Sequence, residues 1–186
     1  MNDQDRLDIE AVLGGDQQAY RNLIERYDTT ISRLIWRFSR DPGTCEELVE
    51  ETFVEAYMSL GNYRHQGTFE AWIKCIATRV GYRYWKNRNK HSQTVGLDDM
   101  IDPEAPPERA DPDVVHDITM RLLDRLNPSD RLVLTLMYFD QCSTEEIARR
   151  MDWTRGMVKM RAFRARRKLK TIVEKEHLLD DVSWTP

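Results

Sequence analysis

The chain has 186 residues, a formal net charge of −4, 40% hydrophobic and 32% charged side chains. That length allows one mid-sized domain or two small ones, and the balance suits a soluble helical protein with modest cores. No apolar run approaches the roughly 18–20 residues that span a bilayer, and the polar, acidic start MNDQDRLDIE is unlike a signal peptide, so a cytoplasmic location is expected. Cys45, Cys75 and Cys142 show no CxxC or Cys/His ligand spacing, which reads as plain reduced thiols; a redox role has no motif behind it. No Gly-rich phosphate loop, metal-ligand spacing or nucleophile–base motif appears, so no cofactor, metal or catalytic activity is expected.

Residues 5–13 place Leu7, Ile9, Val12 and Leu13 at the spacing of a short amphipathic helix ending at Gly14-Gly15. Asp16 suits the N-cap of a long second helix whose apolar face runs from Ala19 through Tyr27 and Ile35 to Phe38. Asp41-Pro42-Gly43 stops it. A third helix is expected from about Thr44 to Leu60, with Leu48, Val49, Thr52, Phe53, Ala56, Tyr57 and Leu60 buried. Its other face carries Glu46, Glu47, Glu50, Glu51 and Glu55. Such a row is either a solvated face or, because acids at i,i+4 repel, a surface for a cationic partner.

The loop Gly61–Thr68 (GNYRHQGT) leads into a helix defined by Phe69, Trp72, Ile73, Ile76, Ala77 and Val80. The following stretch, RVGYRYWKNRNK, interleaves basic and aromatic side chains. It fits nucleic acid, with rings on bases and cations on phosphates, or a domain edge with a solvated basic face. Residues 61–90 hold 7 basic and 1 acidic side chains, whereas residues 91–117 hold 1 basic and 8 acidic. The latter contain Pro103, Pro106, Pro107 and Pro112 and read as a linker.

Beyond it, Val114, Val115, Ile118, Met120, Leu122, Leu123 and Leu126 are helically spaced up to Asn127-Pro128. A next helix, with Ser129 as a candidate cap, carries Leu132, Val133, Leu136, Met137 and Phe139. Ser143-Thr144-Glu145-Glu146 has the form of a capping box. A short helix, a turn at Asp152-Trp153-Thr154 and a basic helix follow. Residues 152–170 hold 8 basic side chains and 1 acidic one, and Thr154 suits the N-cap of that last helix. This is the pattern of a helix-turn-helix whose second helix enters the major groove; an ordinary hairpin with a solvated basic face is the alternative. The fold class expected is all-α, with two small helical domains joined by a flexible, acidic, proline-containing linker.

Four segments, in order, resemble an extracytoplasmic-function (group IV, sigma-70 family) RNA polymerase sigma factor: Gly15–Tyr27 (GDQQAYRNLIERY), Glu46–Tyr57 (EELVEETFVEAY), Gly67–Ala77 (GTFEAWIKCIA) and Leu126–Leu169 (LNPSDRLVLTLMYFDQCSTEEIARRM, then VKMRAFRARRKL). The resemblance implies a sigma-2 domain over residues 1–90, a linker over 91–117, a sigma-4 domain over 118–175 and a tail over 176–186. It implies an alternative sigma factor that binds core RNA polymerase and directs promoter-specific initiation. Glu46, Glu47, Glu50, Glu51 and Phe53 would dock on the β′ coiled coil. Tyr63, Arg64, His65 and Gln66 would hold a base flipped from the −10 element, with Arg79, Arg83, Trp85, Lys86 and Arg88 at the duplex edge. The linker would thread the RNA-exit region, and sigma-4 would hold the β flap. An anti-sigma factor is the further partner implied.

Position matching makes Lys159, Met160, Phe163 and Arg164 the −35 readers. Lys159 and Arg164 can donate to guanine, and Phe163 can contact a thymine methyl. Arg155, Arg161, Arg166 and Arg167 are expected on phosphates. The chain departs from the family pattern at Asp152, where glycine is usual, at Trp153 and Arg155, where aliphatic residues are usual, and at Met157 and Met160, where hydroxyl residues are typical. Glu50 stands where glutamine is common, and Thr78–Arg83 also departs from the usual pattern.

Overall fold

In a computed structural model of the chain, residues 3–64, 67–95 and 119–175 are described. Among them every regular element is helical, and no helix is long and apolar enough to cross a membrane. The chain divides into two compact units, Met1–Lys86 and Asn87–Pro186. His65, Gln66, residues 96–118 (most of the expected linker, with Val114, Val115 and Ile118) and the expected tail lie outside the described residues.

The first unit is built from α1 (Asp3–Leu13), α2 (Gln17–Ile35), α3 (Pro42–Ser59), a 3-10 turn over Leu60–Asn62, and α4 (Phe69–Val95), whose backbone stays helical beyond Lys90. Asp16 caps α2 as expected, accepting from the N–H groups of Gln18 (2.9 Å) and Ala19 (3.4 Å). α3 starts at Pro42 rather than Thr44 because Asp41 is itself an N-cap, accepting from Thr44 N–H at 2.7 Å. Proline in the first turn loses no helical hydrogen bond. Leu23, Ile31, Ile35, Leu60, Phe69, Ile73 and Val80 form the fully buried centre.

α1 does not follow its apolar pattern. Leu7 and Leu13 are 52% and 56% exposed, while Asp5 and Asp8 are buried with Ile9. The reason lies on α2. Arg26 grips Asp5 Oδ1 at 2.5 Å and Asp8 Oδ2 at 2.6 Å. The Tyr27 hydroxyl donates to Asp5 (2.7 Å), and Asn22 donates to Asp8 (3.2 Å). α1 therefore docks on α2 through a satisfied polar cluster around one apolar side chain.

α4 passes so close to the end of α2 that a Cβ on Gly81 would meet the Phe38 ring at 2.3 Å. Phe38 in turn stacks on Trp85 (centroids 4.5 Å apart), and the Trp85 indole N–H donates to the Phe38 carbonyl at 2.7 Å. Glycine at position 81 is what lets an aromatic pair close this corner.

The second unit holds α5 (residues 119–124), α6 (Pro128–Tyr138), α7 (Thr144–Met151) and α8 (Arg155–Lys175). Asn127, not Ser129, caps α6: its side chain accepts from Asp130 N–H at 3.0 Å, with Pro128 in the first turn. The core joins Leu123, Leu126, Leu134 and Ala165 with partly buried Met120, Phe139 and Leu169. Cys45 and Cys142 are buried and Cys75 half-buried, all as free thiols.

Candidate nucleic-acid interface and docking face

α7 and α8 form the helix-turn-helix. The capping box at the start of α7 is complete: Ser143 Oγ accepts from Glu146 N–H (3.2 Å), and Ser143 N–H donates to the Glu146 carboxylate (2.7 Å). Those backbone and hydroxyl bonds hold the Glu146 carboxyl below its ordinary range. α7 ends at Asp152 in the left-handed region (φ 56, ψ 44). Aspartate tolerates that conformation better than most side chains, so the turn closes here without glycine. Thr154 caps α8, its hydroxyl accepting from Met157 N–H at 3.2 Å.

Val158, Ala162 and Ala165 turn α8 inward. On the opposite side Gly156, Lys159, Met160, Phe163 and Arg167 stand exposed. Most of the remaining cations are partnered. Arg155 pairs with Glu145 across the turn. Arg164 lies 3.8 Å from Asp130. Arg166 donates to the Tyr138 hydroxyl at 3.0 Å. Arg161, expected on phosphates, is half-buried, its guanidinium 3.9 Å above the Trp153 ring. The unusual tryptophan in the turn thus staples it to α8.

On the first unit, the −10 set splits. Arg64, Arg79, Lys86 and Arg88 are exposed, and the Lys86 ammonium lies 5.8 Å from the Tyr82 ring. Trp85 is 4% exposed and packed against Phe38. Tyr63 is 7% exposed, its hydroxyl donates to the Gly67 carbonyl (2.9 Å), and its ring meets Phe69 and Trp72. Tyr82 and Tyr84 are half-exposed, and they are the aromatic residues of this stretch that α4 leaves accessible.

Arg83 reaches across to α3 while staying 44% exposed. It donates to Glu51 at 2.9 Å and pairs with Glu55. Burial would lower its basicity, but the two carboxylates outweigh that and raise it. The same contact removes part of the like-charge repulsion on α3. Glu46, Glu47 and Glu50 remain exposed, with no ion pair among the described residues. Phe53 is buried because the α2–α3 contact encloses it, and the Tyr20 hydroxyl donates to its carbonyl (2.5 Å). It lines a groove of about 590 Å³ with Tyr20, Ile24, Val49, Val54 and Tyr57. Val54, Tyr57 and Met58 are exposed beside the acids. Tyr57 had been placed in the buried stripe; it rests edge-on against Tyr20 (4.9 Å) with its outer side open. Three apolar side chains exposed at the end of an acidic helix were a signal available in the spacing and not used.

Two helical units, one with a basic helix-turn-helix and the other with an acidic, apolar-edged helix, have the layout of a modular DNA-binding protein. Residues 23–91 match the family described as Sigma-70 region 2, and residues 116–169 match Sigma-70, region 4. The chain is 30% identical over 175 residues to the RNA polymerase sigma-H factor of Pseudomonas aeruginosa, covering 88% of this chain and 91% of that one. It is 30% identical over 174 residues to the ECF RNA polymerase sigma-E factor of Escherichia coli K12, covering 87% and 90%. Its fold is similar to that of CnrH in complex with the cytosolic domain of CnrY (TM-score 0.59, 20% identity, covering 92% of this chain and 98% of that one). It is also similar to the sigma factor RpoE in complex with the anti-sigma factor NepR from Bartonella quintana (TM-score 0.58, 19% identity, covering 83% and 96%). The chain belongs to the sigma-70 family, in its extracytoplasmic-function group.

Proposed function

We propose that this chain is an alternative sigma factor that joins core RNA polymerase and selects promoters through separate −10 and −35 contacts. The observation that carries this is the segregation of charge by element: acids on α3, cations on α4 and α8, within one member of the sigma-70 family. Glu46, Glu47, Glu50 and the groove lined by Phe53 and Tyr57 meet the β′ coiled coil, where a basic, partly apolar partner complements them. Arg64, Arg79, Lys86 and Arg88, with His65 and Gln66 of the loop, engage the −10 element. α8 enters the major groove of the −35 element, with Lys159, Met160, Phe163 and Arg164 at base edges and Arg155, Arg166 and Arg167 at phosphates.

Residues 1–90 act as the sigma-2 module and 118–175 as the sigma-4 module, which also holds the β flap; 91–117 connect them through the RNA-exit region, and 176–186 are a tail. The factor works in the cytoplasm, and an anti-sigma factor binds and controls it; the similar RpoE was solved in complex with the anti-sigma factor NepR. Run-off transcription with core polymerase, with and without this protein, tests the reading. Transcripts from a subset of promoters of its own genome, only when the protein is present, are expected. Absence of initiation on all of them refutes the reading.

A further inference from the structure

Gly156 sits in the first turn of α8, and glycine has a lower helix propensity than alanine. Nothing inside the protein requires it. A Cβ there would meet only the Thr154 hydroxyl, at 3.9 Å, and no positive φ is recorded for it. Its place on the helix supplies a reason. Gly156, Met160, Phe163 and Arg167, at i, i+4, i+7 and i+11, run in one line down the side of α8 opposite buried Val158, Ala162 and Ala165. Met157 and Met160 are 42% and 56% exposed, and Phe163 is 61% exposed. The upper part of the line therefore offers no side-chain hydrogen-bond donor. Exposed cations flank it, Arg164 and Lys168 on one side and Lys159 and Arg166 on the other. An apolar centre between two cationic rows complements a DNA groove, with base edges in the middle and phosphates on both walls.

Resting on the sigma reading above, we infer that Gly156 and Met160 form a donor-free reading edge. It selects thymine by contact with its methyl group, and Gly156 lets the helix backbone come against the bases. In B-DNA the thymine methyl is the apolar feature of the major-groove edge, and methionine is unbranched and polarisable enough to fit around it. Of the flanking cations, Lys159 and Arg164, on either side of Met160, keep the hydrogen-bonded part of the readout, and Arg166 and Lys168 meet the phosphates.

The test uses reconstituted holoenzyme. The preferred −35 element is first selected from a randomised promoter pool, and each thymine in it is then replaced by uracil, which lacks only the methyl group. Promoter affinity is expected to fall about 4-fold at each thymine facing the edge, the share of one buried methyl group. Met160→Ser should abolish that thymine–uracil difference and Met160→Leu should preserve it. Gly156→Ala should raise the Tm of the free protein yet weaken promoter binding about 10-fold, equivalent to about 1.4 kcal/mol. Holoenzyme that initiates but treats uracil and thymine alike overturns the inference and leaves the sigma reading intact. A Met160→Ser loss equal on every DNA sequence assigns the line to a protein contact and also overturns it. No initiation on any promoter overturns both readings.

Discussion

Arg26 is the side chain on which the docking of α1 turns. It is the cation that neutralises two buried carboxylates, Asp5 and Asp8, from a position 27% exposed. Removing one partner of a buried ion pair leaves charge without compensation and costs about 3–5 kcal/mol. Arg26→Met should lower unfolding stability by that order, measured by urea denaturation. The pH dependence follows from Asp8. Burial alone would raise its carboxyl, but hydrogen bonds from Arg26, Asn22 and Gln4 outweigh burial and hold it below its ordinary 3.8. The folded state then binds this proton less readily than the unfolded chain. Its contribution is complete above about pH 4 and is lost as pH falls through the lowered value. Stability that kept rising with acidification through this range would contradict the clasp. Gly81→Ala should cost about 1–3 kcal/mol by overpacking, because the ring it meets is wedged between Gly81 and Trp85.

At the scale of elements, α3 and α4 are coupled by Arg83, and this reassigns both. A residue expected on DNA is occupied by Glu51 and Glu55, and Glu51 was itself expected on polymerase. Arg83→Ala should therefore act on α3. It exposes two more acids on the docking face, so affinity for core polymerase should rise at low salt, by about 2- to 5-fold for an exposed pair worth at most about 1 kcal/mol. Fluorescence anisotropy of labelled protein against core polymerase measures this, and weaker core binding would overturn the assignment.

This coupling was hidden in the chain because its partners lie far apart in sequence, whereas the periodic signals are local. The same contrast runs through the fold. α2, α6, α7 and α8, the caps at Asp16 and Thr154, and the capping box were legible, since apolar spacing and cap chemistry act within a turn or two. α1 was legible as a helix but its inward face was not, because that side is held by aspartates and two of its four apolar residues face solvent. The burial of Trp85 and Tyr63 was hidden for a related reason: in sequence an aromatic among cations looks the same whether it faces a base or another ring, and the contacts with Phe38, Phe69 and Trp72 come from the fold.

For the whole molecule, the net charge of −4 conceals a division of labour. A chain that bound DNA tightly by itself would occupy non-specific sites, which attract any cationic surface through released counterions. Here α8 carries its cations on an otherwise acidic protein, and several are paired internally: Arg155 with Glu145, Arg166 with Tyr138, and Arg161 with Trp153. Under the proposed function, DNA affinity is assembled on polymerase, where the −10 and −35 contacts act together at high effective concentration. The free chain should then bind −35 DNA only in the non-specific range of about 10⁻⁴–10⁻⁶ M at physiological salt, while holoenzyme binds the same promoter far more tightly. Arg167 is exposed and makes no ion pair among the described residues, so it is the cleanest phosphate arm on α8. Arg167→Ala in holoenzyme should weaken all promoters alike and reduce the slope of log K against log salt by about 1. An unchanged slope with a changed sequence preference would move Arg167 from the phosphates to the base edges.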